Sequence, residues 1–155
     1  IERAEEATVP RVRAVHLAVA PPKSRDRQRF IVEKLQEMGA ARLTWLTSDH
    51  GQGRRPKQQR CEAWVTSALE QSRGAWRMIV DDGSLASLVA PVIADPEASS
   101  GPQAYADRDP VVVAIGPEGG WSDSESAVVG DRVRLSANIL RTDTAAIAAA
   151  ALFLV

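Results

Sequence analysis

Short apolar runs alternate along the chain with stretches of helical period, and that alternation sets the first expectations. Residues 12–20 (VRAVHLAVA) read as a strand closed by Pro21-Pro22. Ile31, Leu35 and Met38 then return at helical spacing, with Arg25, Arg27, Arg29 and Lys34 on the polar side, which predicts a helix over 25–38. Ser24 is placed to cap its start and Gly39 to take left-handed backbone at its end. Residues 43–47 are a second strand. The polar loop 48–60 (SDHGQGRRPKQQR) runs into a helix near Pro56, whose apolar face is Cys61, Val65, Ala68 and Leu69.

The second half repeats the alternation less cleanly. Residues 77–80 read as a strand ended by Asp81-Asp82-Gly83, followed by a weak helix over 85–93. Residues 94–110 hold three prolines and little periodicity, so a long loop is expected. Residues 111–115 (VVVAI) are a strand of buried type, and 122–128 a helix with a Ser122/Glu125 capping box. A last strand over 132–135 precedes an alanine-rich helix from Thr142, capped by Thr142 or Asp143. Strands alternating with helices predict an α/β fold with a mainly parallel sheet, in one domain over 12–155 after a linker at 1–11.

Composition narrows the function classes. A chain of 155 residues, 45% hydrophobic and 25% charged, suits an ordinary globular domain. One cysteine and two histidines leave neither a disulfide framework nor a Cys/His metal cluster, so no metal is expected. The apolar run 145–155 has eleven residues, too few to span a bilayer, so no membrane partner is expected. No secretory signal is visible, which makes a cytoplasmic location the expectation. Ile1 is not an initiator, and the chain is expected to be a piece of a longer protein.

The net charge of −1 conceals a division. Residues 1–77 carry 15 Lys+Arg against 9 Asp+Glu, a net of +6, and residues 78–155 carry 4 against 11, a net of −7. Such asymmetry marks either an anionic partner or two differently solvated faces.

Two segments carry candidate chemistry. The first is Ile115-Gly116-Pro117-Glu118-Gly119-Gly120-Trp121-Ser122, directly after the most apolar strand. Glycines there let a ligand approach bare backbone, and open α/β sheets bind ligands beyond the carboxyl ends of their strands. The alternative is a tight strand-to-helix turn with no ligand. The second segment is Leu135 to Ala145 (LSANILRTDTA), where Arg141 stands just before a helix N-terminus, a poor place for a cation. Catalytic use explains it, and so does an ion pair with Glu118 or Asp143.

These segments resemble the bacterial 16S rRNA uracil-N3 methyltransferase family of the SPOUT superfamily, which shows Gly-Pro-Glu-Gly-Gly and, further on, Ile-Leu-Arg-x-Glu-Thr-Ala. The chain has GPEGG at 116–120 and ILRTDTA at 139–145. Upstream, Lys23 and the stretch Glu33 to Gly39 are similar to the family's Lys-x-Glu-Leu-Gly helix end, and Glu70-Gln71-Ser72-Arg73 to its Glu-Gln-Ser-x-Arg element. Three departures stand: Asp143 for the usual Glu, Ser136-Ala137-Asn138 where the family has Gly after the Leu, and Arg73 directly after Ser72.

The resemblance implies a C-terminal trefoil knot, S-adenosylmethionine (SAM) as cofactor, 16S rRNA or the small ribosomal subunit as substrate, a homodimer, and an N-terminal PUA-like domain outside these residues. It assigns SAM contacts to Ile115, Gly116, Pro117, Gly119, Gly120, Leu135, Asn138, Ile139, Leu140, Thr144 and Ala145. Arg141 is expected to stabilise negative charge on the uracil oxygens, with Glu118 or Asp143 accepting the N3 proton or orienting Arg141. Lys23, Arg25, Arg54, Arg55 and Arg73, with Arg27 and Lys57, are expected to hold RNA phosphates. Trp121 is a candidate base platform but is expected to pack; His16 is expected to be a satisfied strand histidine rather than a base, and Cys61 a core residue. The alternatives to this enzyme are a knotted RNA-binding module without catalysis and a methyltransferase acting on another nucleotide.

Overall fold

The computed structural model describes residues 13–154, so the linker expected at 1–11 lies outside the described part. The elements are β1 (Val15–Val19), α1 (Arg25–Met38), β2 (Arg42–Thr47), α2 (Gln58–Ser72), β3 (Ile79–Ser84), β4 (Val92–Ala94), β5 (Val111–Ile115), α3 (Asp123–Val128), β6 (Arg132–Val133) and α4 (Thr142–Phe153). They build one six-stranded sheet in the order β3-β2-β1-β5-β4-β6, with every neighbouring pair parallel.

The two central strands, β1 and β5, are the two cleanest apolar runs of the chain, as expected for strands covered on both faces. One face packs under α1, α2 and α4, where Leu17, Val19, Ile31, Leu35, Trp45, Val65, Val113 and Phe153 are buried. On the other, a smaller cluster of Ala18, Leu46, Leu85, Ile93, Ala114 and Val129 lies near α3 and the 3₁₀ turn Leu85–Ser87.

Local signals hold for α1: the Ser24 hydroxyl accepts from the Arg27 amide, and Gly39 sits at φ 91° with its N–H on Gln36 and Leu35 carbonyls. They also hold for α3, where Ser122 and Glu125 cap each other reciprocally. Elsewhere the structure departs from expectation. β3 runs through Asp81-Asp82-Gly83 to Ser84, because pairing with β2 continues to the Thr47↔Ser84 register. Residues 85–93 form no α-helix. A 3₁₀ turn at Leu85–Ser87 leads instead to β4, three residues held between β5 and β6. β6 ends at Val133 rather than at Leu135. At α4 the N-cap is Arg141, with no side-chain cap.

Parallel pairing puts the carboxyl ends of β1, β4 and β5 on one edge of the sheet, and between β1 and β5 the strand order reverses. Ligands of open α/β sheets lie at such a reversal. From edge strand β6 the chain returns through residues 134–141 to α4, which packs against β1, β5 and α1. That return lays the second motif over the first.

Candidate active site

The first motif is a turn built on glycine. Pro117 O accepts from Gly120 N at 2.9 Å, and Gly120 takes φ 79°, a left-handed conformation that glycine adopts without strain. At Gly116 the reason is space: a Cβ there would lie 2.8 Å from the Trp121 ring, so the indole rests on bare backbone. Trp121 thus packs, as expected, and it also lines the adjoining cleft.

That cleft, of about 500 Å³, is walled by the turn, by residues 135–142, and by Ala94, Asp95 and Pro96 after β4. It gathers Ile115, Gly116, Pro117, Gly120, Leu135, Asn138, Ile139, Leu140 and Ala145 of the residues expected at the cofactor, with Glu118 and Arg141. Gly119 and Thr144 lie outside it; Gly119 faces His50 across the turn, and Thr144 is exposed on α4. Thr142, buried, donates from Oγ1 to Gly116 O at 3.2 Å and so ties the two motifs together. Sequence reasoning missed Asp95 and Arg132, a 3.1 Å ion pair at the cleft wall, because it read Asp95 into a long loop over 94–110 and Arg132 only as the start of the last strand. The donor set fits SAM. Apolar side chains suit the faces of an adenine, backbone and Asn138 its polar edge, and carboxylates at the rim a sulfonium charge.

At the cleft mouth four charges form one group. Arg27 of α1 reaches Glu118 Oε1 at 3.1 Å and Asp143 Oδ1 at 2.9 Å, while Arg141 Nε stands 3.8 Å from the same Glu118 oxygen. Arg27 therefore points inward, with 20% of its side chain exposed, and not toward an RNA backbone. Burial resists ionisation of Asp143, but the Arg27 hydrogen bond and charge and the backbone amides of Asp143 and Thr144 hold its carboxyl below the usual range. The Asp143 hydrogen bond in turn raises the Arg27 pKa. Asp143 is thus engaged away from Arg141. Glu118, 61% exposed, is the carboxylate that both arginines share.

The charged residues that line a second concavity are all basic. Lys23, Arg25, Arg54, Arg55, Lys57 and Arg60 surround it, with no carboxylate among the lining residues. The loop wall is held by Gln28, a buried amide donating to Pro22 O at 2.6 Å and Arg54 O at 2.8 Å. Arg55 is partly neutralised by Asp82. Arg73 lies at the far end of α2, a helix of 15 residues, about 22 Å away. Of the two remaining residues, Cys61 is buried with its thiol pKa raised chiefly by that burial. His16 Nε2 lies 2.7 Å from Thr44 Oγ1, which donates to Asp81. Among the described residues no group of His, Cys, Asp and Glu could hold a metal ion, and no helix is long and apolar enough to cross a membrane.

A parallel α/β sheet with a glycine-turn cleft at its strand reversal defines the class of fold, one in which small ligands lie beyond the carboxyl ends of the strands. More narrowly, the chain belongs to the RNA methyltransferase domain family, which it matches over residues 10–154. Its fold is similar to that of a probable rRNA-methyltransferase from Porphyromonas gingivalis (TM-score 0.80, 29% identity, covering 92% of this chain and 67% of that one). It is equally similar to the ribosomal RNA small subunit methyltransferase E of Neisseria gonorrhoeae bound to S-adenosyl methionine (TM-score 0.80, 26% identity, covering 90% and 65%). The SpoU methyltransferase AviRb of Streptomyces viridochromogenes, in complex with AdoMet, shares the fold (TM-score 0.62, 17% identity, covering 95% and 61%). The chain thus spans about two thirds of the length of these proteins. No curated protein sequence matches it.

Proposed function

We propose that this domain binds SAM in the glycine-turn cleft and directs methylation to N3 of a uridine in 16S rRNA. The single observation that carries the reading is the Glu118–Arg141 pair at the mouth of a cleft whose donors suit SAM. SAM supplies an electrophilic methyl carbon. The residues of the chain have the remaining work. The Gly116–Gly120 turn and the 135–140 segment hold the cofactor by backbone and apolar contact. Arg141, 70% exposed, faces the charge that develops on the uracil oxygens as N3 loses its proton. Glu118 takes that proton directly or through water, while Arg27 and Asp143 fix its position.

The basic concavity of Lys23, Arg25, Arg54 and Arg55 holds RNA phosphates in this reading, with Arg73 reaching a more distant strand. The chain's return from β6 across the sheet to α4 is the path that a knotted carboxyl end requires. A homodimer acting on the small subunit in the cytoplasm completes the proposal.

Calorimetry of SAM binding and a methyl-transfer assay on small-subunit rRNA test it together. Arg141→Ala is expected to slow transfer about 100-fold with SAM affinity little changed. No detectable SAM binding would leave only an RNA-binding module. Transfer to a different nucleotide would keep the enzyme and remove N3 of uridine.

A further inference from the structure

The cations of the basic concavity are set apart by having no carboxylate. Among the described residues Lys23, Arg25, Arg54 and Lys57 make no ion pair, whereas Arg29, Lys34, Arg42 and Arg77 of the same half of the sequence each hold an acid. Like charges gathered in this way repel one another, so the segments that carry them need a tie. Gln28, in the first turn of α1 and 5% exposed, lines the same concavity. A primary amide nitrogen carries two N–H donors, and here they meet two different connecting segments. One bond runs to Pro22 O at 2.6 Å, in the link from β1 to α1, and the other to Arg54 O at 2.8 Å, in the link from β2 to α2.

We propose that Gln28 is a positioning residue for RNA: through these two bonds it fixes the spacing of Lys23 and Arg54, so that the pair is set to grip the phosphate backbone before RNA arrives. This rests on the methyltransferase reading and adds to it a residue that carries no charge and, with both donors used, offers RNA none.

Neither Pro22 nor Arg54 belongs to the sheet or to a helix, so what the two bonds order is the charge that the links carry. Lys23 follows Pro22 directly, and Arg54 is itself the residue whose carbonyl accepts. An apolar side chain of similar length would fill the same volume without the desolvation of an amide, so the amide is explained by the bonds it makes. Gly53 backs the arrangement. A Cβ there would fall 2.0 Å from Pro21 O, so the second link lies directly on the first. Arg55, in that same link, is turned instead to Asp82 and Gln58. Cations whose ordering and mutual repulsion are already overcome in the folded chain lose less on binding than cations on free loops.

Binding of a short RNA hairpin, followed by fluorescence anisotropy across a salt series, tests the assignment. Arg54→Gln should weaken binding and make the slope of log K against log salt shallower by about 1. Gln28→Met exchanges one neutral side chain for another, so only displaced cations can change that slope. The same shallower slope is expected, with binding about tenfold weaker at low salt and SAM affinity within about twofold. In the Arg54→Gln background, Gln28→Met should cost about twofold at most, because the cation it positions is gone. Gly53→Ala lifts the same link with Gln28 intact. It should reproduce the Gln28→Met slope, and it carries the test if Gln28→Met does not fold. An unchanged slope in these variants, or losses that multiply in the double variant, overturn the positioning role even where Arg54→Gln weakens binding. Undiminished binding by Arg54→Gln would instead remove the phosphate reading of the concavity, and the role of Gln28 with it.

Discussion

Arg27 on α1 and Asp143 on α4 stand 2.9 Å apart across the carboxyl edge of the sheet, so a residue near one end of the chain fixes a residue near the other. Both side chains are about one-fifth exposed, which makes the pair more than a surface contact. Arg27→Met removes the partner and leaves the Asp143 carboxylate uncompensated, at an expected cost of about 1–3 kcal/mol at neutral pH. The pH dependence follows from the lowered Asp143 pKa. Its stabilisation is complete above the ordinary Asp value and is lost as pH falls through the lower folded value. Urea unfolding at pH 7 and pH 3 should show the gap between the parent protein and Arg27→Met narrowing in acid. A gap that is constant with pH would assign the loss to packing.

Thr142 is the other tie between the two motifs. Replacing it with Val keeps its volume but leaves the Gly116 carbonyl without the hydroxyl that now donates to it. The expected loss is about 1 kcal/mol of stability. Because the bond sets the spacing between the turn and α4, SAM affinity measured by calorimetry should fall with it. Thr142→Ser should restore both. Equal affinity in Thr142→Val and the parent would confine the bond to a folding role.

The reach of sequence reasoning followed the distance over which each signal acts. Ser24, Gly39 and the Ser122/Glu125 box act within four residues, and α1 and α3 stand where those signals place them. The buried strand β5 was equally plain. β4 was not, since three residues carry no period, and its strand character comes from being sandwiched between β5 and β6. Asp81-Asp82-Gly83 looked like a strand stop, yet on the partly uncovered face a polar edge strand meets no penalty. At the site, the two motifs were legible as motifs. The Arg27 link to Glu118 and Asp143 spans more than 90 residues of sequence and exists only because the sheet brings α1 beside α4.

The two turn glycines should respond differently to alanine. At Gly116 the added methyl meets the Trp121 ring at 2.8 Å, so the indole must move and the cleft wall with it. Overpacking of this kind costs about 1–3 kcal/mol, and SAM affinity should drop. At Gly120 there is open space but φ is 79°, so the cost is conformational, about 1–2 kcal/mol. NMR of the Trp121 indole N–H separates the cases: displaced in Gly116→Ala, near its parent position in Gly120→Ala. A displaced indole in both would mean that the turn moves as one unit.

The last prediction concerns His16, which lies in a polar row with Thr44 and Asp81 across three strands. Thr44 donates to Asp81, so it accepts from His16, and the neutral ring carries its proton on Nε2. Burial, with the nearby Arg42 charge, lowers the His16 pKa to about 4 against the pull of Asp81. The unfolded chain binds a proton near pH 6.5 that the folded chain refuses until about pH 4. Stability from this group is therefore unaffected above pH 6.5 and declines as pH falls toward 4, by about 2–3 kcal/mol in all once solvent screening of the partly exposed ring is allowed for. His16→Gln keeps an N–H for Thr44 and cannot titrate. Urea midpoints measured from pH 7.5 to 4.5 should fall for the parent relative to His16→Gln, with the divergence beginning near pH 6.5. Parallel curves would show that His16 takes up its proton in the folded sheet as readily as in the unfolded chain.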